Sequence, residues 1–200
     1  MAADPAPHPG AYRPPNMPAT WAHFGKVLGA IGGNFVGVVS RDACAPALAR
    51  IVAAHSSRLG KGRGRRCVAS KAVVPLLNEV GGWVLAADAA ADPHGLADVE
   101  LGILWAEAAV AENAALLFST NSLPERALGF LAQHLLVLVA DGALHPDLVT
   151  AQAALSLRFP ASLPHHVTWM SGPSKTADIE QTLVIGAHGA RSLTVLAIAP

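Results

Sequence analysis

The stretch that decides the fold is His134-Leu135-Leu136-Val137-Leu138-Val139, in which five large apolar residues follow one another without a break. A strand with one face in water would alternate apolar and polar side chains, and this run does not. It therefore predicts a strand that is covered on both faces, as in a parallel sheet. Further short apolar runs are predicted as strands at 35–39, 67–69, 83–85, 99–104, 115–118, 167–170 and 193–198.

Helical patterns separate these strands. Apolar residues recur at helical spacing from 21 to 31, and Thr20 can cap that helix. An alanine-rich helix is predicted over 41–59, with further helices over 71–80, 125–131 and 146–157 and a short helix or turn over 106–112. Short strands that alternate with helices predict an α/β fold with three layers around a mostly parallel sheet.

Composition limits the partners and the compartment. The 200 residues contain 14 Lys plus Arg and 14 Asp plus Glu, and this zero net charge argues against nucleic acid as the main partner. The sequence has no uninterrupted apolar stretch of membrane-spanning length and no basic-then-apolar leader, so we expect a cytoplasmic protein without a membrane span. Prolines at 5, 7, 9, 14, 15 and 18 predict a disordered tail over 1–18, followed by one domain over 19–200.

Cys44 and Cys67 are the only cysteines in the sequence. An iron–sulfur cluster normally takes four thiolates, so this chain cannot hold one alone, and we expect reduced cysteines packed in or near the core. Neither a dinucleotide fingerprint nor a P-loop occurs. We therefore expect no cofactor and no resident metal in this chain.

The run 171–181, Ser-Gly-Pro-Ser-Lys-Thr-Ala-Asp-Ile-Glu-Gln, gathers more polar chemistry than any other stretch. If the strand before it leads into a helix, its N–H groups lie at a strand's carboxyl end, where ligands bind in open α/β sheets. Glycine permits close approach and lysine adds a cation, which suits a small anion. The alternative is that these residues only cap a turn. The predicted ligand site comprises Ser171, Gly172, Ser174, Lys175, Thr176, Asp178 and Glu180, with Ser174 or Thr176 capping the helix.

Carboxylates and histidines supply the catalytic candidates. Glu107 and Glu112 lie in an apolar run, where a carboxylate must be paired, protonated or at an opening. Each is either a general base or nucleophile, or half of an ion pair between two elements. Glu112 is predicted to share a solvent-reaching hollow with Lys175, and His134 is a further candidate for that cleft. His188 lies in a glycine-flanked turn, as a general acid or base or as a structural hydrogen-bonding group.

Two stretches resemble one protein family. The run 171–189 resembles the C-terminal signature of the LUD family, which includes lactate utilization protein C (the LutC/YkgG group). The run 102–112 resembles the family's G-I-T-x-A-D-x-A-I-A-E-T-G-T motif, although Glu107 replaces an aspartate and Asn113-Ala114-Ala115 replaces Thr-Gly-Thr. His134 resembles a family histidine. The resemblance implies the fold shared by ribose-5-phosphate isomerase, glucosamine-6-phosphate deaminase and CoA transferases (NagB/RpiA/CoA transferase-like).

The resemblance also implies a function. It implies a subunit without an iron–sulfur cluster in a system that oxidises L-lactate to pyruvate, binding a small organic anion, iron–sulfur partner proteins, or both. Two alternatives stay open: a stand-alone enzyme for an anionic substrate with Glu112 as base or nucleophile, and a non-catalytic ligand-binding protein. The sequence does not decide whether the chain catalyses a step or forms a homodimer.

Overall fold

The computed structural model describes residues 18–58, 66–77, 84–86, 96, 98–119, 123–159, 166–179 and 182–200. The α-helices are α1 (Trp21–Ala30), α2 (Arg41–Arg58), α3 (Leu123–Leu131) and α4 (Leu148–Arg158). The strands are β1 (Asn34–Ser40), β2 (Arg66–Ala69), β3 (Val84–Ala86), β4 (Val99–Ala106), β5 (Ala108–Val110), β6 (Ala115–Ser119), β7 (His134–Ala140), β8 (Leu144–His145), β9 (Val167–Ser171), β10 (Lys175–Ile179), β11 (Thr182–Ile185) and β12 (Ser192–Ala199). Residues 1–17 of the predicted tail lie outside the described residues.

The central sheet has six strands in the order β1-β12-β7-β4-β2-β3, and every neighbouring pair is parallel. The five residues of β7 from Leu135 to Val139 are all buried, as the unbroken apolar run predicted. β12 is buried in the same way from Leu193 to Ile198. The predicted mostly parallel sheet, covered on both faces, is therefore confirmed.

Each face of the central sheet carries its own apolar layer. On one face α2 packs on the sheet, with Leu48 against residues such as Leu138. On the other face α1 and α3 contribute Phe24 and Leu128, which pack around Val137. Burying a leucine or phenylalanine side chain contributes about 1.5–3 kcal/mol, so these contacts hold the layers together. The three-layer α/β/α architecture is confirmed.

A second sheet extends the structure beyond those three layers. Its order is β8-β5-β6-β9, and β6 runs antiparallel to both β5 and β9. Leu116 of this sheet joins the core against the central sheet, while Leu117 and Trp169 pack against Leu155 of α4 on the outer side. α4 therefore lies outside the second sheet and not on the parallel one.

Helix α1 begins as its sequence predicted. The Thr20 side chain accepts a hydrogen bond from the His23 N–H at 3.2 Å, which is the N-cap interaction. Trp21 stacks on Phe35 of β1, with the two ring centroids 5.3 Å apart. The Trp21 indole N–H also donates to Asp141 Oδ1 at 2.6 Å, so the first turn of α1 is attached to the end of β7.

Two predicted elements are wrong. The run 106–112 was predicted as a short helix or turn, but Ala108–Val110 form β5, which pairs with β6 and β8, and only residues 111–113 form a turn. The run after Ser171 does not lead into a helix, because β10 and β11 form an antiparallel hairpin. Ser174 and Thr176 consequently do not cap a helix.

The cysteine prediction is confirmed, since Cys44 and Cys67 are both free and buried. Within the described ranges, no helix combines the length and the apolar character needed to cross a bilayer.

Candidate functional site

The strand order marks one position for a ligand. β2 and β4 are neighbours, but the chain continues from β2 to β3 on one side and from β4 to β7 on the other. Ligands of open α/β sheets bind outside the carboxyl ends of the strands at such a reversal. Ser70 follows β2 and Glu107 follows β4, so these two residues lie at that position.

A cavity of about 120 Å³ opens there, and we call it the crevice. It lies between the carboxyl ends of β2 and β4, helix α3 and the second sheet. Its apolar walls include Leu104, Phe118 and Met170. Its polar lining consists of Ser70, Glu107, Ser119, Glu125, Arg126, His166 and Thr168. A mostly apolar hollow with a few polar groups is the usual form of a small-molecule site.

Glu107 is the central polar group of the crevice. Its Oε1 accepts a hydrogen bond from the Ser119 hydroxyl, and its Oε2 lies 2.8 Å from Arg158 Nη1. The Glu107 backbone N–H donates to the Leu117 carbonyl at 2.8 Å, which fixes the chain as it leaves β4. Glu107 therefore forms an ion pair between two elements and also lines a cavity.

Helix α3 supplies the opposite wall. Glu125 Oε1 accepts a hydrogen bond from the Lys71 N–H at 2.7 Å, which joins the first turn of α3 to the chain that follows β2. Arg126 is the next residue and lines the crevice. On β9, the Thr168 hydroxyl lies 2.8 Å from His166 Nε2. This side of the crevice thus carries the Arg126 side chain together with the Glu125 carboxylate and the Thr168 hydroxyl, both of which already have a hydrogen-bond partner.

Three buried polar atoms of the lining make no hydrogen bond to a described residue, namely Ser70 Oγ, Arg126 Nε and Glu107 Oε2, but Glu107 Oε2 is held in its ion pair with Arg158. A buried polar atom without a partner costs free energy, so a cluster of them needs an explanation. The fourth such side-chain atom in the described part of the chain is His23 Nε2 on α1. Ser70 Oγ and Arg126 Nε are therefore the two lining atoms for which the described residues supply no partner.

A larger groove of about 610 Å³ adjoins the crevice and shares Ala72 and Trp105 with it. It continues along the carboxyl ends of the strands past Asp141 and reaches Arg41 at the first turn of α2. Among the described residues, no three His, Cys, Asp or Glu side chains are placed to hold a metal ion.

The predicted ligand run lies at the other end of the parallel strands. The Ser174 N–H donates to the Ala190 carbonyl at 2.9 Å, and the Arg191 N–H donates to the Gln133 carbonyl at 2.8 Å, just before β12 and β7 begin. Gly172 is buried against Ile31, which precedes β1. This base of the β10–β11 hairpin, which we call the hairpin base, is therefore at the amino edge of the sheet and not at the carboxyl edge.

The other residues of that run fall into three groups. Lys175 is exposed and its ammonium lies beside Gly32, while Thr176 pairs with Val184 in the hairpin. The backbone of Asp178 belongs to β10, but its side chain lies outside the described residues. Glu180 lies outside them altogether.

Glu112 lies at the turn between β5 and β6. Its Oε2 accepts a hydrogen bond from the Leu148 N–H at 3.3 Å, at the start of α4. The Ser171 hydroxyl donates to the Asn113 carbonyl at 2.5 Å, so Ser171 adjoins the turn that carries Glu112. Neither Glu112 nor Lys175 lines the crevice, and their predicted common hollow stays a prediction.

The two histidines of the predicted site are not in the crevice either. His134 begins β7, with Nδ1 2.7 Å from Ser192 Oγ and Nε2 3.5 Å from Glu100. Burial lowers the pKa of His134 despite the attraction of Glu100. Because β7 has seven residues, its two ends are roughly 20 Å apart, which separates His134 from the carboxyl edge. His188 is exposed in the bend after β11.

Comparison with known proteins identifies relatives. The LUD domain model matches residues 84–198. Lactate utilization protein C 1 of Bacillus mycoides is 32% identical over 92 residues, which are 45% of this chain and 39% of that protein. Lactate utilization protein C of an Exiguobacterium species is 29% identical over 143 residues, 70% of this chain and 57% of that protein. The chain thus aligns with about two fifths to three fifths of these relatives' lengths.

A further relative and one solved structure complete the comparison. The uncharacterized protein NMB1437 of Neisseria meningitidis is 60% identical over 38 residues, 19% of this chain and 16% of that protein. A crystal structure of a DUF162 family protein from Deinococcus radiodurans has a TM-score of 0.66 at 17% identity, covering 88% of this chain and 94% of that one. At this identity the likeness shows a shared fold.

Proposed function

Because this chain belongs to the LUD domain family, we propose that it is a component of a lactate utilization system and binds a small organic anion in the crevice. Relatives that match 45% and 70% of the chain carry the name lactate utilization protein C. We further propose that it works in the cytoplasm with iron–sulfur proteins, which supply the electron-transfer groups. Its own two cysteines are both buried and cannot supply the four thiolates of a cluster.

The observation that carries the proposal is the position of Arg126. Arg126 lines a cavity at the β2/β4 reversal whose other walls include Leu104, Phe118 and Met170. An arginine in such surroundings binds a carboxylate strongly, because the charge-assisted hydrogen bond is little screened. A cavity of about 120 Å³ suits a molecule of a few heavy atoms.

The genetic test is growth of a deletion strain on L-lactate as the carbon source, with an unrelated sugar as the control medium. We expect the deletion strain to grow on the sugar but not on L-lactate. The intact gene, supplied on a plasmid, should restore its growth on L-lactate. Arg126→Gln should restore growth poorly. Arg50→Gln, which removes the same charge from an exposed position of α2, should restore it fully. Normal growth of the deletion strain on L-lactate contradicts the proposal.

The partners have their own test. Cluster-bearing proteins should copurify with the affinity-tagged chain from cells grown on L-lactate, detected by their iron and sulfide content. Two cysteine-rich reading frames beside the gene would support the same assignment. A chain that is recovered alone, from an operon without such neighbours, contradicts the proposed partnership.

A stand-alone enzyme for an anionic substrate is the second candidate. It is favoured by the Glu107 carboxylate, which holds a serine hydroxyl in the wall of a cavity. Two carboxylates compete for the role of base or nucleophile: Glu107 in the crevice, and Glu112 in the turn between β5 and β6, where it accepts a hydrogen bond from the first N–H of α4. Purified chain should turn over coenzyme A esters or sugar phosphates without partners. The variant that loses turnover, Glu107→Gln or Glu112→Gln, then identifies the catalytic carboxylate. If the purified chain turns over neither substrate class, the stand-alone enzyme is rejected.

A further inference from the structure

A serine, a histidine and a glutamate meet at the amino edge of the central sheet. His134 begins β7, and its Nδ1 lies 2.7 Å from the Oγ of Ser192, the first residue of β12. On the other side of the ring, His134 Nε2 lies 3.5 Å from Glu100 Oε1 of β4. The three side chains therefore form a line of contacts across three neighbouring strands.

The register of the sheet explains how these side chains meet. His134 pairs with Ser192 on one side and with Leu101 on the other, so these three residues project from the same face. In a regular strand Glu100 would project from the opposite face. The pairing of β2 with β4 skips Glu100, which makes it the extra residue of a β-bulge. A bulge re-aims a side chain, and this one allows the Glu100 carboxylate to reach His134.

The positions of the hydrogens follow from the partners of the ring. A carboxylate can only accept, so the Nε2 that faces Glu100 carries the hydrogen of the neutral imidazole. Nδ1 of His134 then keeps its lone pair and accepts a hydrogen bond from the Ser192 hydroxyl. Burial lowers the pKa of His134, so the ring is mostly neutral at pH 7. A serine hydroxyl that donates to a neutral imidazole, with a carboxylate behind the ring, is the arrangement that activates serine as a nucleophile.

We propose that Ser192, His134 and Glu100 form a second site, in which Ser192 accepts a short acyl group from an activated ester or thioester and transfers it to water. Ser192 Oγ forms a bond to the acyl carbon, and the bond to the leaving alcohol or thiol breaks. The leaving group departs with the proton that His134 Nδ1 takes from Ser192. Water then attacks the acyl-serine, its proton returns through His134 to Ser192, and the free acid is released. The inference goes beyond the proposed function and does not depend on the crevice.

The surroundings of the site suit this reaction. The side chains of His134 and Glu100 are 21% and 25% exposed, so solvent and an acyl donor can reach them from the edge of the sheet. Arg191 precedes Ser192, is exposed, and its positive charge acts on His134. A cation at that position stabilises the negative oxygen that forms when Ser192 attacks a carbonyl. Glu100 is a positioning residue that orients the ring, and contacts of this kind commonly shorten from 3.5 Å when a substrate binds.

The first test uses the unaltered protein. The purified full-length chain is treated with an alkyl fluorophosphonate, a reagent that forms a covalent bond to activated serines, and the modified peptide is identified by mass spectrometry. We expect an adduct on Ser192. Hydrolysis of p-nitrophenyl acetate by the same preparation should stop as the adduct forms. The absence of an adduct on Ser192 overturns the inference.

Variants assign the two catalytic residues. Ser192→Ala and His134→Gln should each lower the rate of p-nitrophenyl acetate hydrolysis about a hundredfold or more, which is the range for loss of a nucleophile or its base. Ser192→Cys keeps a nucleophile of similar size and should still be acylated, which excludes a folding defect as the cause of the losses. Ser156→Ala is the matched control, because this serine is exposed on α4, and it should leave the rate unchanged. Hydrolysis at the wild-type rate by Ser192→Ala contradicts the inference.

The pH profile separates catalysis from a structural role. His134 can act as a base only when it is neutral, so the rate should rise with pH through its folded pKa, which lies below the usual 6.5, and then level off. Among the described residues, the Glu100 charge raises this pKa and the Arg191 charge lowers it. Glu100→Gln should therefore move the midpoint of the profile to lower pH and reduce the plateau. A midpoint that stays in place in Glu100→Gln shows that this residue only supports the fold, and contradicts its assignment.

Discussion

Arg158 Nη1 lies 2.8 Å from Glu107 Oε2, so the last turn of α4 is fastened to the residue that follows β4. The arginine side chain is 59% exposed and the glutamate side chain 15% exposed, which places the pair at the rim of the second sheet. It links the outermost helix to the edge of the central sheet where the crevice opens.

Arg158→Gln should therefore destabilise the fold slightly. We expect the free energy of unfolding to fall by about 1 kcal/mol, because a partly exposed pair is screened by solvent but its loss leaves a mostly buried carboxylate. Thermal unfolding should shift by about 2–4 °C for a domain of this size. The difference from the wild type should shrink in 1 M NaCl, and a shift that is independent of salt would contradict an electrostatic origin.

The stability of the chain should decrease in mild acid. Burial lowers the pKa values of His134 and His145 below the usual 6.5. The unfolded chain then binds protons at a higher pH than the folded chain, so stability present above about pH 6.5 is lost as the pH falls through the folded pKa values. Urea unfolding between pH 7.5 and 5 measures this. His134→Gln should flatten the pH dependence, and an unchanged slope would exclude that residue as a contributor.

Cys67 should be inert to thiol reagents in the folded protein. Burial raises the pKa of its thiol to about 12, and burial also raises the pKa of Cys44. Only the thiolate reacts readily, so at pH 8 almost no reactive form is present. Treatment with a chromogenic disulfide reagent should modify no thiol in native protein and two in guanidinium chloride. Rapid native modification would indicate that the β2 region opens.

Gly172→Ala should be markedly destabilising. Gly172 has φ +72°, and a Cβ there would lie 3.0 Å from Ile31 Cδ1. The left-handed conformation and the close contact together should cost about 1–3 kcal/mol in the free energy of unfolding. Gly29→Ala is the matched control, because that helical position of α1 has no atom within 4 Å of a new Cβ. It should stabilise the protein by about 0.5–1 kcal/mol, and equal effects of the two changes would contradict this account.

Local patterns predicted the central layers of the fold. An unbroken apolar run such as that of β7 can be buried only between two covering layers, which predicts a three-layer fold. Helix α2 was predicted over 41–59 and is observed at Arg41–Arg58. β5 was missed because alanine favours helix, whereas Ala108 and Ala109 are buried between two neighbouring strands. Their pairing, which depends on residues far along the chain, overrides that propensity.

The hairpin was missed for a different reason. Ser174 and Thr176 resemble helix-capping residues, which is why a helix was predicted after Ser171. Thr176, Ile179 and Thr182 favour strands, and Gly186 turns the chain with φ +81° after β11. The β-branched composition was therefore the signal that could have identified the hairpin.

The crevice could be predicted only in part. Glu107 stood out as a carboxylate in an apolar run, which is a signal that sequence provides. Ser70 and Arg126 belong to no motif, and they meet Glu107 because the strand order reverses between β2 and β4. That order depends on crossovers over tens of residues, which local periodicity does not encode.

The hairpin base and the crevice lie at opposite edges of the central sheet. A molecule that binds at one edge leaves the other edge accessible. Two different molecules can therefore bind the chain at the same time. The run 171–189, by which the sequence resembles the LUD family, contributes none of its described residues to the lining of the crevice. Substitutions that adapt the crevice to another small molecule therefore need not alter the run 171–189.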